Sequence, residues 1–256
     1  MSAVKIVALI VAAGFSMNTM AAEFSFDRPG TGIGTGITPV GQLAWEQGLP
    51  SLSYSESKDE NGIKVRNTRL NADMLLRTGL AKDLELQLGW QGPSWSKTKT
   101  AGQSVEEDGL GDVSIGVKKA IDLDDEKLSM AILAEAILAT GNDGFSNHDD
   151  IYSLSSALAY AATDLINTSI TMRYEAQNSN WAVTAVPTIE YQIAGKWSGF
   201  SELVYRKAES EADEYSLGSG VIYALNDRVQ MDASVGVDLN GKDKSYQSGL
   251  GVSFLF

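Results

Sequence analysis

The chain has no cysteine among its 256 residues and a single histidine, His148. The first absence excludes a disulfide scaffold, so an exported protein of this composition must be stabilised in another way, such as closure of a barrel. Beyond residue 22 no apolar stretch reaches the ~18 residues that a helical membrane span needs. Positive charge is also scarce: 20 Lys and Arg stand against 33 Asp and Glu, for a net charge of -13. That balance, with no basic tail, argues against a nucleic-acid partner. Mean hydropathy is an ordinary -0.10. One class of membrane protein escapes all of these exclusions. In a β-barrel half of every strand faces the lumen, so the membrane signal is diluted by polar residues.

What is present begins with the amino terminus. Lys5 precedes an apolar run from Ile6 to Phe15, and Ala21 and Ala22 are small residues suited to cleavage. Residues 1–22 therefore read as a secretory signal peptide, too short and wrongly flanked for a transmembrane helix. Residues 23–40 are rich in Gly and Pro and lack periodicity. They are expected to form a periplasmic or lumenal segment able to enter the lumen as a plug. The glycines of 30–36 would allow close packing, and no Lys-Ser or Lys-Thr follows them to make a phosphate loop. No cofactor is expected.

Residues 41–256 carry repeated segments of about ten residues with alternating polarity. The first spans 41–54, with Leu43 and Trp45 on one face and a slip at Leu49-Pro50 that suggests a bulge. Further strands are expected at 66–79, 83–95, 109–121, 127–140, 151–162, 165–177, 181–193, 197–207, 214–225 and 228–238. The segment 127–140 is apolar on both faces, so a buried helix is an alternative there. The twelfth strand is carboxyl-terminal, with Tyr246, Leu250, Val252, Phe254 and Phe256 alternating with small or polar residues. It resembles the closing strand of an outer-membrane barrel, in which the terminal aromatic, here Phe256, is an assembly signal read by the barrel assembly machinery.

About twelve strands is an even number, as single-chain outer-membrane barrels require, and tight turns alternate with mostly longer polar loops. Trp45, Tyr160, Tyr191, Trp197 and Tyr223 fall near periplasmic strand ends. Trp90, Tyr152, Tyr174, Trp181, Tyr205 and Tyr215 fall toward loop ends, giving two aromatic girdles. The expected fold is an all-β, up-and-down antiparallel transmembrane barrel in the bacterial outer membrane, with surrounding lipid as a partner. A soluble β-sandwich is the alternative; it needs no signal, terminal Phe and girdles together.

Three stretches carry a family resemblance: Asp27-Arg-Pro-Gly30, Gly41-Gln-Leu-Ala-Trp-Glu46 and Gly109-Leu-Gly-Asp-Val-Ser-Ile-Gly-Val-Lys118. They resemble the meta-pathway phenol-degradation (MetA) family of outer-membrane channels. The resemblance implies a transporter-like barrel for small hydrophobic or aromatic solutes. Composition and spacing themselves contain no phenol site.

The inward phase of the strands carries charges of both signs: Glu46, Arg69, Asp73, Arg77, Glu85, Gln87, Asp112, Lys118, Glu135, Arg173, Glu175, Glu190, Glu202, Arg206 and Asp232. Such groups are costly against lipid and belong in the lumen, paired or hydrated. They fit a narrow polar conduit for small-molecule solutes, or an ion-pair network filling a closed structural or surface-interaction barrel. Twelve strands lie between barrels that merely enclose side chains and those with open water channels. An outer-membrane hydrolase would need a Ser-His pair on the rigid wall, whereas His148 lies in the loop Asn147-His-Asp-Asp150. Neither that loop, as a calcium site, nor the acidic run 209–214 outranks a solvated loop. No catalytic or metal-binding residue is expected, and the chain is read as a non-enzyme.

Overall fold

The computed structural model describes residues 24–59, 61–239 and 244–256. The signal-peptide reading, and most of the turn at 240–244, lie outside the described residues. The described chain forms sixteen strand segments, β1 to β16, in one sheet that closes on itself through β16. They make twelve membrane spans, because the first four spans are each broken in two. These are β1 (Leu43–Gly48) with β2 (Ser51–Lys58), β3 (Lys64–Asn71) with β4 (Met74–Ala81), β5 (Leu84–Trp90) with β6 (Pro93–Thr100), and β7 (Gln103–Leu110) with β8 (Val113–Ile121). The remaining eight are unbroken: β9 (Leu128–Leu138), β10 (Ile151–Thr163), β11 (Ile166–Gln177), β12 (Asn180–Ala194), β13 (Trp197–Ala208), β14 (Glu214–Asn226), β15 (Val229–Asp238) and β16 (Lys244–Leu255). All sixteen strand pairings are antiparallel.

Closure follows from the alternation. Leu43 and Trp45 point out while Ala44 and Glu46 are buried inside. Trp45 pairs with Phe254 across the seam, and the Phe256 backbone exchanges hydrogen bonds with Leu43 at 3.2 and 2.8 Å. A closed sheet leaves no edge within the membrane, so every backbone polar group there finds a partner. The outward Leu, Ile, Val, Trp and Tyr side chains have water-accessible surface only because lipid is their solvent.

The slip at Leu49-Pro50 is a bulge: β16 advances three residues between Gly251 and Ser248 while the first span advances four, from Gly48 to Leu52. It belongs to a row of breaks across four spans, at 49–50, 72–73, 91–92 and 111–112. Hydrogen bonds stitch the row together, including Gly48 N–H to Asp73 O at 2.8 Å and Gln91 N–H to Asp112 O at 2.9 Å. Gly92 holds φ at 76°, and a Cβ there would lie 1.7 Å from the Ala72 carbonyl oxygen, so a side chain is excluded.

Beyond this row the chain departs from the expected boundaries. The loops read at 55–65 and 96–107 are instead a four-stranded extension of β2, β3, β6 and β7 standing above the barrel. Past Leu52, Leu70 and Trp95 both faces are wet, so period-two polarity vanishes while the hydrogen-bonded ladder persists. The β6–β7 hairpin turns on Ala101 and Gly102, both with positive φ, as a two-residue turn of the primed kind requires. Trp90, expected near a loop end, sits at the row of breaks, and Trp95 lies further out. The segment read as apolar on both faces is a strand, β9. Its inner face is apolar because Ala131 and Leu133 are buried inside the barrel.

Above the row, β7 pairs only with β6, whereas β8 below it pairs with β9. The notch is filled by residues 139–150. Asp112 accepts hydrogen bonds from Gly141 N at 2.8 Å, Asn147 N at 2.7 Å and Asn147 Nδ2 at 2.9 Å. Phe145 is buried, and the Arg69 guanidinium lies 5.0 Å from its ring centroid.

Candidate functional site: the lumen and the segment that crosses it

Residues 24–39 lie inside the barrel. Their backbone cannot form a helix or pair as a strand, given the run Gly30-Thr-Gly-Ile-Gly-Thr-Gly36, so its polar groups are satisfied by the wall. Glu46 accepts from the backbone N–H of Asp27 at 3.1 Å and of Arg28 at 2.8 Å. Glu202 accepts from Thr31 N at 3.0 Å and Thr31 Oγ1 at 2.7 Å. Glu85 accepts from Thr38 N at 2.5 Å and Oγ1 at 2.6 Å. Thr171 Oγ1 accepts from Ile33 N at 3.2 Å, and Thr35 and Ser129 hydroxyls meet at 2.7 Å.

Two ionic knots reinforce these bonds. In the first, fully buried Arg77 donates to Glu85 and Glu46, each at 2.9 Å, and to the Ser25 and Gly36 carbonyls at 2.9 and 3.2 Å. Its guanidinium also lies 3.5 Å from Asp27 and 5.4 Å from the Phe24 ring centroid. Lys118 reaches both Asp27 oxygens at 3.1 and 3.2 Å. Gln87 donates to Glu85 at 2.8 Å and Asp27 at 3.3 Å. Burial of Asp27 opposes its ionisation, but Arg77 and Lys118 outweigh it and hold the carboxyl below the usual aspartate range. In the second knot Arg28 donates to Asp73 at 3.0 Å and Asp232 at 3.2 Å. Gly251 makes room for it: a Cβ there would come within 2.4 Å of the guanidinium. The buried groups of the first knot must be paired, and removing one partner strands the others.

The segment divides the lumen. A cavity of about 290 Å³ opens on the outer side, against Ser51, Ser53, Asn71, Ser234 and Gln247. A second, of about 400 Å³, lies on the periplasmic side and includes Phe24, Phe26, Ile33, Ile222 and Gln230. The residues common to both are Arg28, Pro29, Gly30, Phe200 and Glu202, which form the partition. The inner walls of β14 to β16 are built from Ser216, Gly218, Gly220, Ser234, Gly236, Gly249 and Gly251, so space is left on that side.

The projected lumen residues therefore fall into groups. Glu46, Arg77, Glu85, Gln87 and Lys118 meet in the first knot, Asp73 and Asp232 in the second, and Glu202 in the partition. Arg173 forms a separate group with Glu135 at 3.7 Å and Glu175 at 3.8 Å. Glu190 lines the periplasmic cavity and accepts from Asn167 Nδ2 at 3.0 Å. Asp112 and Arg69 hold the 139–150 loop at the mouth. Arg206 stands apart at the outer rim, with Glu211 at 3.3 Å and Glu214 at 3.5 Å. His148 touches Ser146 through its backbone, whose N–H donates to the hydroxyl at 3.2 Å. The inward projection of the strands does not contain Asp27, Arg28, Thr31, Thr38, Phe145 or Phe200; of these, Asp27 and Arg28 stand in the sequence only within the stretch that carries the family resemblance.

The architecture defines the class: a closed, twelve-span outer-membrane barrel. The chain belongs to the family described as "Putative MetA-pathway of phenol degradation", which matches residues 26–256. Among solved structures, it is similar to the COG4313 outer membrane channel from Pseudomonas putida F1, at 13% identity and TM-score 0.67 over 85% of this chain and 96% of that one. It is also similar in fold to the translocator domain of the autotransporter NalP from Neisseria meningitidis, at 10% identity and TM-score 0.54 over 89% of this chain and 90% of that one. A third likeness is to the KdgM porin in complex with disordered oligogalacturonate, at 14% identity and TM-score 0.51 over 80% of this chain and 98% of that one. No curated protein matches the chain.

Proposed function

We propose that the chain is a passive outer-membrane channel for small hydrophobic or aromatic solutes, held shut at rest by residues 24–39. The observation that carries the proposal is the periplasmic cavity of about 400 Å³ abutting the segment, with Phe24, Phe26, Phe200 and Ile222 among its walls. Apolar and aromatic side chains with a few hydrogen-bonding groups suit a small ring-bearing solute. Membership of a phenol-degradation family agrees with this solute class, and the likeness in fold to a solved outer membrane channel agrees with a channel. The bonds that fix the segment are hydrogen bonds and ion pairs, which separate without breaking the barrel wall. The lumen charges serve to hold the plug and to line the path, and no enzymatic step is assigned to them. In this reading residues 1–22 direct export and Phe256 is read by the barrel assembly machinery.

The test is single-channel conductance of the refolded mature chain in a planar bilayer, beside a variant lacking 24–39, with uptake of a labelled aromatic compound measured in vesicles. A rise in conductance on deletion, with faster uptake, is the expected result. Silence and no uptake from both forms, with heat-modifiable β structure retained, would leave a closed structural barrel instead.

A further inference from the structure

The extension above the row of breaks has an outward face that runs straight up from the lipid-facing wall. Leu52, Leu70 and Trp95 form its lowest row, closed on β7 by Asp108. Tyr54, Thr68, Lys97 and Glu106 form the next, and Glu56, Arg66, Lys99 and Ser104 the one above. Lys58 and Lys64 are paired at the top. Successive rows are two residues, or about 7 Å, apart along the strands. The face thus passes from mostly apolar and aromatic, through a row of mixed charge, to basic over its upper two rows, directly above the lipid-facing wall.

The sign of this face is opposite to that of the chain. It gathers Lys58, Lys64, Arg66, Lys97 and Lys99 with only Glu56, Glu106 and Asp108, in a protein of net charge -13. Glu56 is shared by Lys64 at 2.6 Å and Arg66 at 3.1 Å, and Lys97 pairs with Glu106. Among the described residues Lys99 has no carboxylate partner. Lys64 and Arg66 keep about half of their side-chain surface (47% and 50%). Between the hairpin tips lies a groove of about 410 Å³, walled by Lys64, Arg66, Lys99, Gln103 and Ser104. Three cations and hydroxyl and amide donors around one groove make a site for a phosphorylated saccharide: guanidinium and ammonium groups take the phosphates, and Ser and Gln take hydroxyls.

We infer that this outward basic face binds the phosphorylated saccharide headgroup of an outer-leaflet lipid, with the acyl chains running down over Trp95, Leu70 and Leu52. The continuity of the face with the lipid-exposed wall selects a lipid over a free anion. Long Lys and Arg side chains lay their stems along the apolar rows and keep their charged ends at the headgroups. The site anchors the extension at the membrane surface and is separate from the lumen.

The test uses the refolded mature chain in detergent, with diphosphorylated lipid A, its dephosphorylated form and inorganic phosphate as probes, read by native mass spectrometry. The wild type is expected to retain the diphosphorylated lipid. The triple variant Lys64→Gln/Arg66→Gln/Lys99→Gln is expected to lose affinity by on the order of 100-fold, and Lys99→Gln alone by about fivefold. Lys119→Gln, near the periplasmic turns, is expected to bind as the wild type does. Heat-modifiable mobility checks that each variant is folded. Equal retention by the folded triple variant would overturn the inference. So would equal retention of the dephosphorylated lipid, or displacement of the lipid by millimolar inorganic phosphate.

Discussion

The first four spans and the last three solve the inside of one barrel in opposite ways. The first four are broken in mid-course and project Glu46, Arg77, Glu85, Gln87 and Lys118 inward, all buried. The last three are unbroken and project mostly Gly and Ser. One side grips the amino-terminal segment and the other leaves space beside it. A lumen lined throughout by long charges would be filled, and one lined throughout by glycine and serine would have nothing to hold a plug. The asymmetry makes an occluded conduit possible within twelve spans.

The largest effect is expected from removing the centre of the gripping side. Arg77→Met leaves Asp27, Glu46 and Glu85 facing one another without their shared cation, a loss of roughly 3–5 kcal/mol for a broken buried pair. The readout is the denaturant midpoint of the folded barrel in micelles. Arg77→Met/Glu85→Gln is expected to recover part of the loss. A midpoint unchanged in Arg77→Met would remove the gripping role from this side.

The spacious side is tested by adding side chains to it. A Cβ added at Gly251 would collide with the Arg28 guanidinium, whereas one added at Gly236 meets only ordinary contacts near 3.5 Å. Gly251→Leu is therefore expected to dislodge Arg28 and raise resting conductance several-fold, whereas Gly236→Leu should leave the resting state closed. If the two variants behave alike, Arg28 is not a latch.

Acid should weaken the grip on the segment without changing the spacious side. The Asp27 carboxyl is held below its ordinary 3.8, so its contribution is complete above that value and disappears as pH falls through the lower folded value. The excess resting conductance of Asp27→Asn over the wild type should therefore hold through neutral and mildly acidic pH and shrink only below the ordinary aspartate value of 3.8. A difference already lost near neutral pH would assign the contribution to another group.

How much of this was legible in the sequence differs between the two regions for a physical reason. Leu86, Leu88 and Trp90, or Leu250, Val252 and Phe254, alternate because one face meets lipid, and that period fixed the strands and the barrel. The Leu49-Pro50 slip was readable because proline lacks a donor and breaks the period. Above the membrane the period is lost in Lys97-Thr-Lys99 and Glu106-Glu-Asp108, since water solvates both faces, and the extension was read as loops. Inward charges could be projected from phase alone. Their grouping could not, because Asp27, Arg28 and Thr31 reach them from a segment with no period at all. Phe200 shares the inward phase of Glu202, but the projection follows polar groups and so omits it; in the fold its ring packs over Gly220 across the pair of strands.

The smallest effect is expected at the mouth, where the first four spans meet the 139–150 loop. Arg69 contributes a cation–π contact to Phe145, of the order of 0.5–2 kcal/mol when partly desolvated. Asp112 contributes three accepted hydrogen bonds to Gly141 and Asn147. Arg69→Ala should therefore speed amide exchange modestly at 142–147 while leaving the global denaturant midpoint unchanged. Asp112→Asn should speed it more, because an amide carries no charge and exchanges one of its acceptor oxygens for a donor facing N–H groups. The order of the two variants separates a loop pinned by its polar turn from one pinned by its buried ring. The reverse order would make Phe145 the closure of the mouth and Asp112 only its support.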